Sequence, residues 1–522
     1  MSAQVDAISL AVFRSLFAAV AEEMGVTLQR AAFSPNIRER LDFSCAVFDS
    51  SARMVAQAAH IPVHLGSMPA SAQAAIGAFE SFVAGDVVVL NDPYRGGTHL
   101  PDITMLSPVF ADGELAYFVA SRAHHADVGG MSPGSLPLST ELYQEGVIIP
   151  PIKIMQAGVM NEGVLALLTA NSRAPEERLG DLSAQLAAHR VGEKRLIAMI
   201  GEHGAERVAA HAVALMDYSR RMTEAAIRAI PDGEYAFEDA LEGDGQREFQ
   251  IPIRVKICVD GDKMTVDFTG SAPQVAGNVN AVSAIVRSAT WYCVRLLSSE
   301  DIPVNEGCFA PVEVITEAGS VLDPQFPAAV AVGNTETGQR VVDAVLCALA
   351  GALPDAIPSA SQGTMNNITV GGFVNGVQFV YYETIAGGHG AGVLGDGIGG
   401  RHSHMTNTLN TPVEALEYAL PLRVWTYTLR ENSGGAGEFQ GGDGVIREYE
   451  FLSPATVTLN TERRVNAPYG LREGGAGARG ENVLTKDGQT ATVSGKYTAQ
   501  VNVGDRLTIK TPGGGGWGKA DE

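Results

Sequence analysis

Between Pro175 and Pro231 the chain contains no proline, and alanine, leucine, glutamate and arginine dominate it. Such a run favours helix, because alanine and straight-chain residues lose little side-chain freedom there. It reads as helix over 174–229, broken near Gly201–Gly204. The segments on either side carry strand patterns instead. Leu41, Phe43, Cys45 and Val47 alternate before a turn at Asp49-Ser50-Ser51, which predicts a hairpin over 40–56. Residues 86–90 read as an apolar strand ending at Asn91-Asp92-Pro93, and 103–110 with 114–122 as an antiparallel pair around Asp112-Gly113. Alternation returns in 253–259 and 264–268. Ile8, Val12, Leu16, Val20 and Met24 predict an amphipathic helix over 5–32, and further helices are expected at 280–299 and 338–353. The expected fold is therefore mixed α/β (α+β) in a large multi-domain chain. Residues 1–230 form an N-terminal metal-binding region with the helical segment, and 231–522 a β-rich C-terminal region. Glycines crowd 434–444 and 473–480, and the run Gly513–Gly516 reads as a flexible tail or a loop where backbones approach closely.

Composition excludes several classes. A net charge of -22 repels phosphate backbones, so nucleic acid is not an expected partner. Residues 8–21 are apolar-rich, but Arg14 interrupts them, and no stretch reaches the roughly 18 apolar residues of a membrane span. Neither export nor membrane insertion is expected. The five cysteines, Cys45, Cys258, Cys293, Cys308 and Cys347, form no C-x-x-C pair; a sparse, odd set reads as buried reduced thiols in a cytoplasmic protein.

The chemistry-bearing residues gather in the first third. Five of the eleven histidines fall between positions 60 and 125: His60, His64, His99, His124 and His125. Carboxylates lie nearby at Asp42, Asp92, Asp102, Asp127 and Glu145. His99 and Asp102 belong to T-H-L-P-D, on a loop entering a strand; His124, His125 and Asp127 belong to A-H-H-A-D-V-G-G, where a strand ends in glycines. Two such clusters flanking consecutive strands can converge on one divalent ion, and mixed nitrogen and oxygen ligation suits Zn, Mn, Fe or Co. His60 and His64, in H-I-P-V-H, carry a proline between them, which argues against a helical zinc face and suits supporting donors instead. His189, His203 and His211 lie in the helical stretch and read as structural. Asn334 to Arg340, N-T-E-T-G-Q-R, reads as a capped helix start rather than as helix amides offered to an anion, and Gly387-Gly388-His389-Gly390 as a turn or a mobile active-site loop. There is no G-x-x-x-x-G-K-[ST] phosphate loop, no G-x-S-x-G elbow and no dinucleotide fingerprint.

Several strings together resemble the B-type subunit of the hydantoinase/oxoprolinase group. They are N-D-P-Y-R-G-G-T-H-L-P-D-I at 91–103, A-H-H-A-D-V-G-G at 123–130, Q-E-G-V-I-I-P-P at 144–151, D-F-T-G-S at 267–271, T-N-T-L-N-T-P-V-E-A-L-E at 406–417 and N-S-G-G-A-G-E-F-Q-G-G at 432–442. The group includes N-methylhydantoinase B-type subunits, the C-terminal half of 5-oxoprolinase, a caprolactam-opening lactamase, and subunits of acetone and acetophenone carboxylases. The resemblance implies a metal-dependent hydrolytic subunit that opens a small cyclic amide or imide. It would work with an A-type ATPase subunit that holds ATP and Mg, in a hetero-oligomer such as A2B2. One or two divalent ions would be drawn from Asp42, His99, Asp102, His124, His125, Asp127 and Glu145. Asp127 or Glu145 would act as base or bridging ligand. His124 and His125 are adjacent in a strand and point to opposite faces, so one of them is expected to ligate. Carboxylation of a ketone, and a non-catalytic subunit stabilised by its metal, are the alternatives.

Because no phosphate-cradling motif is present, calorimetric titration of this chain with Mg-ATP is expected to be flat. Micromolar binding to the isolated chain would contradict that division of labour.

Overall fold

The computed structural model describes residues 5–58, 61–298 and 301–520. The expected opening helix is present as Ala7–Ala31, capped by Asp6, whose carboxylate accepts from the Ile8 and Ser9 amides while Ser9 answers the Asp6 amide. The first sheet takes in seven strands: β1 (Phe43–Asp49), β2 (Met54–Gln57), β3 (Val87–Leu90), β4 (Asp102–Ala111), β5 (Glu114–His124), β6 (Ile152–Gln156) and β7 (Val159–Met160). Their spatial order is β2-β1-β5-β4-β3-β6-β7, and every pairing is antiparallel. The β4–β5 hairpin turns through Asp112 and Gly113, at φ 52° and 86°, the left-handed pair that tight hairpins need. Its register sets Asp102 opposite His124.

Both faces of the sheet are covered. On one, Cys45, Val47, Val119 and Ala123 pack against Phe17 and Met24 of the opening helix and against Ala184 and Ala188 of helix Pro175–His203. On the other, Ala46, Phe118 and Ala120 meet Met68, Ala72 and Ala75 of helix Ser67–Gly77. The expected break in the long helical stretch falls at Gly204, and a second helix runs Ala205–Arg228.

A four-stranded sheet follows, built from Gly233–Leu241, Ile251–Asp260, Lys263–Asp267 and Val312–Ile315. Helices Ser283–Leu296 and Gly338–Ala350 lie with it. The largest core cluster crosses position 230, uniting Val89 and Met105 with Ile253, Val255, Val341 and Val345. Two more sheets, one holding Asn367–Val374 and Val377–Glu383 and the other Leu422–Arg430 and Gly444–Phe451, share a core of Ile368, Tyr381, Tyr449, Leu484 and Ile509. Among the described residues no helix is long and apolar enough to cross a membrane.

The run Gly513–Gly516 is buried, so of the two expectations the close-approach loop holds and the flexible tail does not. It threads between three other glycine-rich segments. The Gly514 amide donates to Gly442 O at 2.9 Å, the Gly435 amide to Gly514 O at 2.9 Å, and the Gly516 amide to Gly475 O at 2.9 Å. The 387–390 segment belongs to the same layer, through Gly388 N to Pro512 O at 3.0 Å. Backbones can lie this close only where no side chain intervenes.

A Cβ at Gly514 would sit 1.9 Å from the His389 carbonyl oxygen. Gly514→Ala is therefore expected to destabilise the chain by about 3 kcal/mol, because backbone must shift to make room. Gly201→Ala meets nothing within 4 Å and lies in a helix. It is expected to stabilise by up to about 1 kcal/mol. Urea unfolding of both variants checks the contrast.

Candidate metal centre

Asp102 begins β4 and His124 ends β5, so their pairing brings the two side chains to one end of the sheet. His99 joins them from the preceding turn, which closes through the Asp102 amide on His99 O at 3.2 Å. The result is a compact triangle. His99 Nε2 lies 3.1 Å from His124 Nδ1 and 3.2 Å from Asp102 Oδ1, and His124 Nδ1 lies 3.2 Å from the same oxygen. All three residues are buried.

The triangle has the spacing that a cation needs. Ligand atoms roughly 2.0–2.2 Å from one ion lie roughly 3.0–3.5 Å from one another in tetrahedral or octahedral geometry. Two imidazoles and one carboxylate on a single face also match the donor sets of catalytic zinc and of open mononuclear iron sites. His99 Nδ1 donates to the Ala331 carbonyl at 2.9 Å, which leaves Nε2 with a free lone pair facing the triangle. His124 turns Nδ1 toward the triangle, and its Nε2 is buried with no partner among the described residues.

The electrostatics centre on the Asp102 carboxylate. Burial works against a charged His99, but the Asp102 carboxylate, the Ala331 carbonyl and Asp42 outweigh it and raise its pKa. Burial holds His124 below the ordinary imidazole value. Burial also opposes ionised Asp102, yet His99, His124 and His64 together hold its carboxyl well below the usual range. An ionised carboxylate among imidazoles suits a divalent ion, whose binding would displace the proton that Asp102 favours on His99.

A second layer supports the triangle. His64 Nε2 stands 3.5 Å from Asp102 Oδ2, and its Nδ1 is 2.8 Å from Ser44 Oγ. The Thr98 hydroxyl donates to the same Asp102 oxygen. Tyr382 stacks on the His124 ring with centroids 4.6 Å apart, and Arg40 lies on Tyr382, 4.6 Å from its centroid. Two residues before His124, buried Arg122 is held by Thr104 at 2.9 Å and by Ser71 at 2.5 Å.

The other expected residues fall in different places. Asp42 lines the cavity in front of the triangle, and its carbonyl accepts from the His124 amide at 3.0 Å. His125 faces the opposite side of the sheet, where its Nε2 meets Gln185 Oε1 at 3.0 Å; burial and Arg178 keep it neutral. Asp127 does not reach the triangle. Its carboxylate accepts from the Gly129, Gly134 and Arg173 amides and from Arg173 Nη1, at 2.9–3.2 Å, pinning the loop after β5. Glu145 stands behind His99. Its Oε1 accepts from Ser139 and from the Val330 and Ala331 amides, and burial pushes its pKa up to about 7. His60 lies outside the described residues.

The far wall of the cavity comes from the C-terminal half: Asn334, Thr335, Tyr382, Thr384, Thr406 and Thr408. Sequence reading had marked only Asn334 and Thr335 among them, as part of N-T-E-T-G-Q-R, and there favoured a capped helix start over an anion site. For the rest the available signal was that 406–408 fall within one of the strings that carried the resemblance.

The hydantoinase B/oxoprolinase family model matches residues 6–520. The chain is 42% identical to 5-oxoprolinase 1 of Arabidopsis thaliana over 98% of its own length, and it spans 42% of the length of that plant protein. It is 33% identical to the B-type subunit of a putative D-/L-hydantoinase of Pseudomonas sp. strain NS671, over 99% of this chain and 90% of that one. Among solved structures, the ATP-dependent caprolactamase from Pseudomonas jessenii superposes with a TM-score of 0.92 at 30% identity, covering 99% of this chain and 92% of that chain.

Elemental analysis after mild purification is expected to find one divalent ion per chain. His99→Ala should lose it. His125→Ala and Asp127→Ala should keep it, with Asp127→Ala losing about 3 kcal/mol of stability because Arg173 is left unpaired. Metal retained by His99→Ala would remove the triangle from consideration.

Proposed function

Since the chain belongs to the hydantoinase B/oxoprolinase family, we propose that it is the hydrolytic subunit of an ATP-dependent enzyme that opens a cyclic amide or imide. The observation that carries this reading is the buried face of His99, Asp102 and His124, in a chain similar to a caprolactamase over nearly its whole length. An unactivated amide resists water because its nitrogen donates into the carbonyl. In this reading an A-type ATPase partner, holding ATP and Mg, activates the amide, and this chain delivers water to the activated carbon. The chain itself carries no phosphate-cradling motif, which supports the separation of the two tasks.

His99, Asp102 and His124 would hold the divalent ion. Such an ion lowers the pKa of a bound water from 15.7 toward about 7. The protein's own contributions are positional. Ala331 O fixes the proton of His99 on Nδ1, so that Nε2 stays a donor of electrons. His64 and Thr98 hold the second oxygen of Asp102, leaving the first for the triangle. Tyr382, locked by Arg40 and by its hydroxyl on Asn367 Oδ1 at 2.9 Å, keeps the His124 ring from turning. Asp42, on the cavity wall outside the triangle, would take the proton of the attacking water. Glu145 backs the Ala331 segment and thereby His99, without facing the cavity itself. The burial of the site excludes bulk water from the activated amide.

The test is reconstitution with an A-type ATPase subunit, assayed on hydantoin, 5-oxoproline and caprolactam. Ring opening is expected only with ATP and the divalent ion together. His99→Ala should cut turnover by well over 100-fold, since losing a supporting residue alone costs about 10–100-fold. ATP-dependent carboxylation of a ketone, with cyclic amides left intact, would overturn the reading.

A further inference from the structure

The turn Gly333–Thr337 carries four polar side chains in succession, and three of them are bound to the protein itself. Thr335 Oγ1 donates to Val332 O at 3.3 Å and accepts from Asn367 Nδ2 at 3.2 Å. Glu336 Oε1 accepts from the Met365 amide at 3.0 Å and from Asn367 Nδ2 at 2.7 Å. The Thr337 hydroxyl donates to Val279 O. Asn334 has no such anchor. It is 4% exposed, and its Oδ1, like the second carboxylate oxygen of Glu336, is buried with no hydrogen-bond partner among the described residues.

The turn is not free to relax around this oxygen. Its five residues form a wide π-type turn, a rare conformation that recurs at functional sites. A Cβ at Gly333 would lie 2.0 Å from Asn280 O, so the turn is wedged against that stretch of chain. Nor does it serve as a helix cap, the expectation from its sequence: Thr337, which precedes helix Gly338–Ala350, makes no capping bond through its side chain. A buried carbonyl with no donor is costly to keep, which calls for a group that visits it. Asn334 lines the same cavity as His64, His99, Asp102 and His124. That cavity has a volume of about 20 Å³, enough for one or two water-sized bodies.

We propose that Asn334 holds the attacking water, an inference that rests on the hydrolytic reading above. Asn334 Oδ1 accepts one O–H of the water, and Asp42 faces the other. A lone pair of the water oxygen forms the new bond to the amide carbon. One water proton passes to Asp42, and the π pair of that carbon's double bond moves onto its heteroatom. The second proton stays on the oxygen, still directed at Asn334. Held by both O–H groups, the water is oriented so that its lone-pair side is the one presented to the carbon.

The variant that tests this is Asn334→Leu, which keeps the volume and deletes the acceptor. Because Oδ1 has no protein partner, the Tm of the metal-loaded chain is expected to equal or exceed that of the wild type, with metal content unchanged. In the reconstituted complex kcat should fall about 100-fold while KM stays within about threefold, the loss expected when a reacting group is misplaced by about 1 Å. Asn334→Asp retains an acceptor and should recover most of the loss. A crystal structure of the metal-loaded wild-type chain should show solvent within hydrogen-bonding distance of Asn334 Oδ1, and that solvent should be missing in Asn334→Leu. A lower Tm with kcat unchanged would make Asn334 structural and overturn the proposal, as would a crystal structure with no solvent at Oδ1. A wild-type complex that opens no cyclic amide would overturn the hydrolytic reading and this proposal with it. A working wild type matched by an unimpaired Asn334→Leu would overturn this proposal alone.

Discussion

The register of β4 against β5 is the constraint on which the site depends. Asp102 and His124 are partners across that pair, at the end of the hairpin away from its turn. Side chains in a strand alternate with a period of two, so a slip of one residue would send His124 to the face covered by helix Pro175–His203 and bring His125 forward. The turn at Asp112-Gly113 and the irregularity near Val109 and Phe110 settle the register at the far end, and the consequence is read out roughly thirty ångströms from the turn in strand length.

Burying His99, Asp102 and His124 together is costly unless each has its charge and its proton assigned. The surroundings do this. A backbone carbonyl fixes the His99 tautomer, three imidazoles and a hydroxyl surround the Asp102 carboxylate, and a tyrosine packs on His124. Arg40 connects the layers: fully buried, it donates to Tyr382 O at 3.1 Å and to Thr384 Oγ1 at 2.9 Å, joining the segment before β1 to the strand Val377–Glu383. Asp127 and Arg173 do similar work for the loop after β5, which explains why an acidic residue so near the histidines is absent from the triangle.

The C-terminal half completes the cavity and is itself organised by glycine. Four glycine-rich segments pack backbone to backbone, and residues 387–390 enter this layer shortly before the chain returns as Met405, Thr406 and Thr408 at the cavity wall. The density of glycine near the end of the chain is thus a requirement of close packing, and the reading of 513–516 as a mobile tail fails for that reason.

Local chemistry was legible in the sequence. Periodicity located the opening helix, the long helical stretch with its break, and the hairpins, because those patterns are set by residues within a few positions of each other. The same locality made T-H-L-P-D and A-H-H-A-D visible as sources of ligands, and strand alternation implied that the two adjacent histidines would separate. Which carboxylate would join them was not legible. Asp127 and Asp102 look alike in sequence; the strand register and the reach of Arg173 from 46 residues away separate them. The far wall was hidden for the same physical reason. Ala331, Asn334 and Tyr382 reach the triangle from more than 200 positions along the chain, and only the packing of the two halves on one another decides which buried polar groups find partners and which, like Asn334 Oδ1, are left without one.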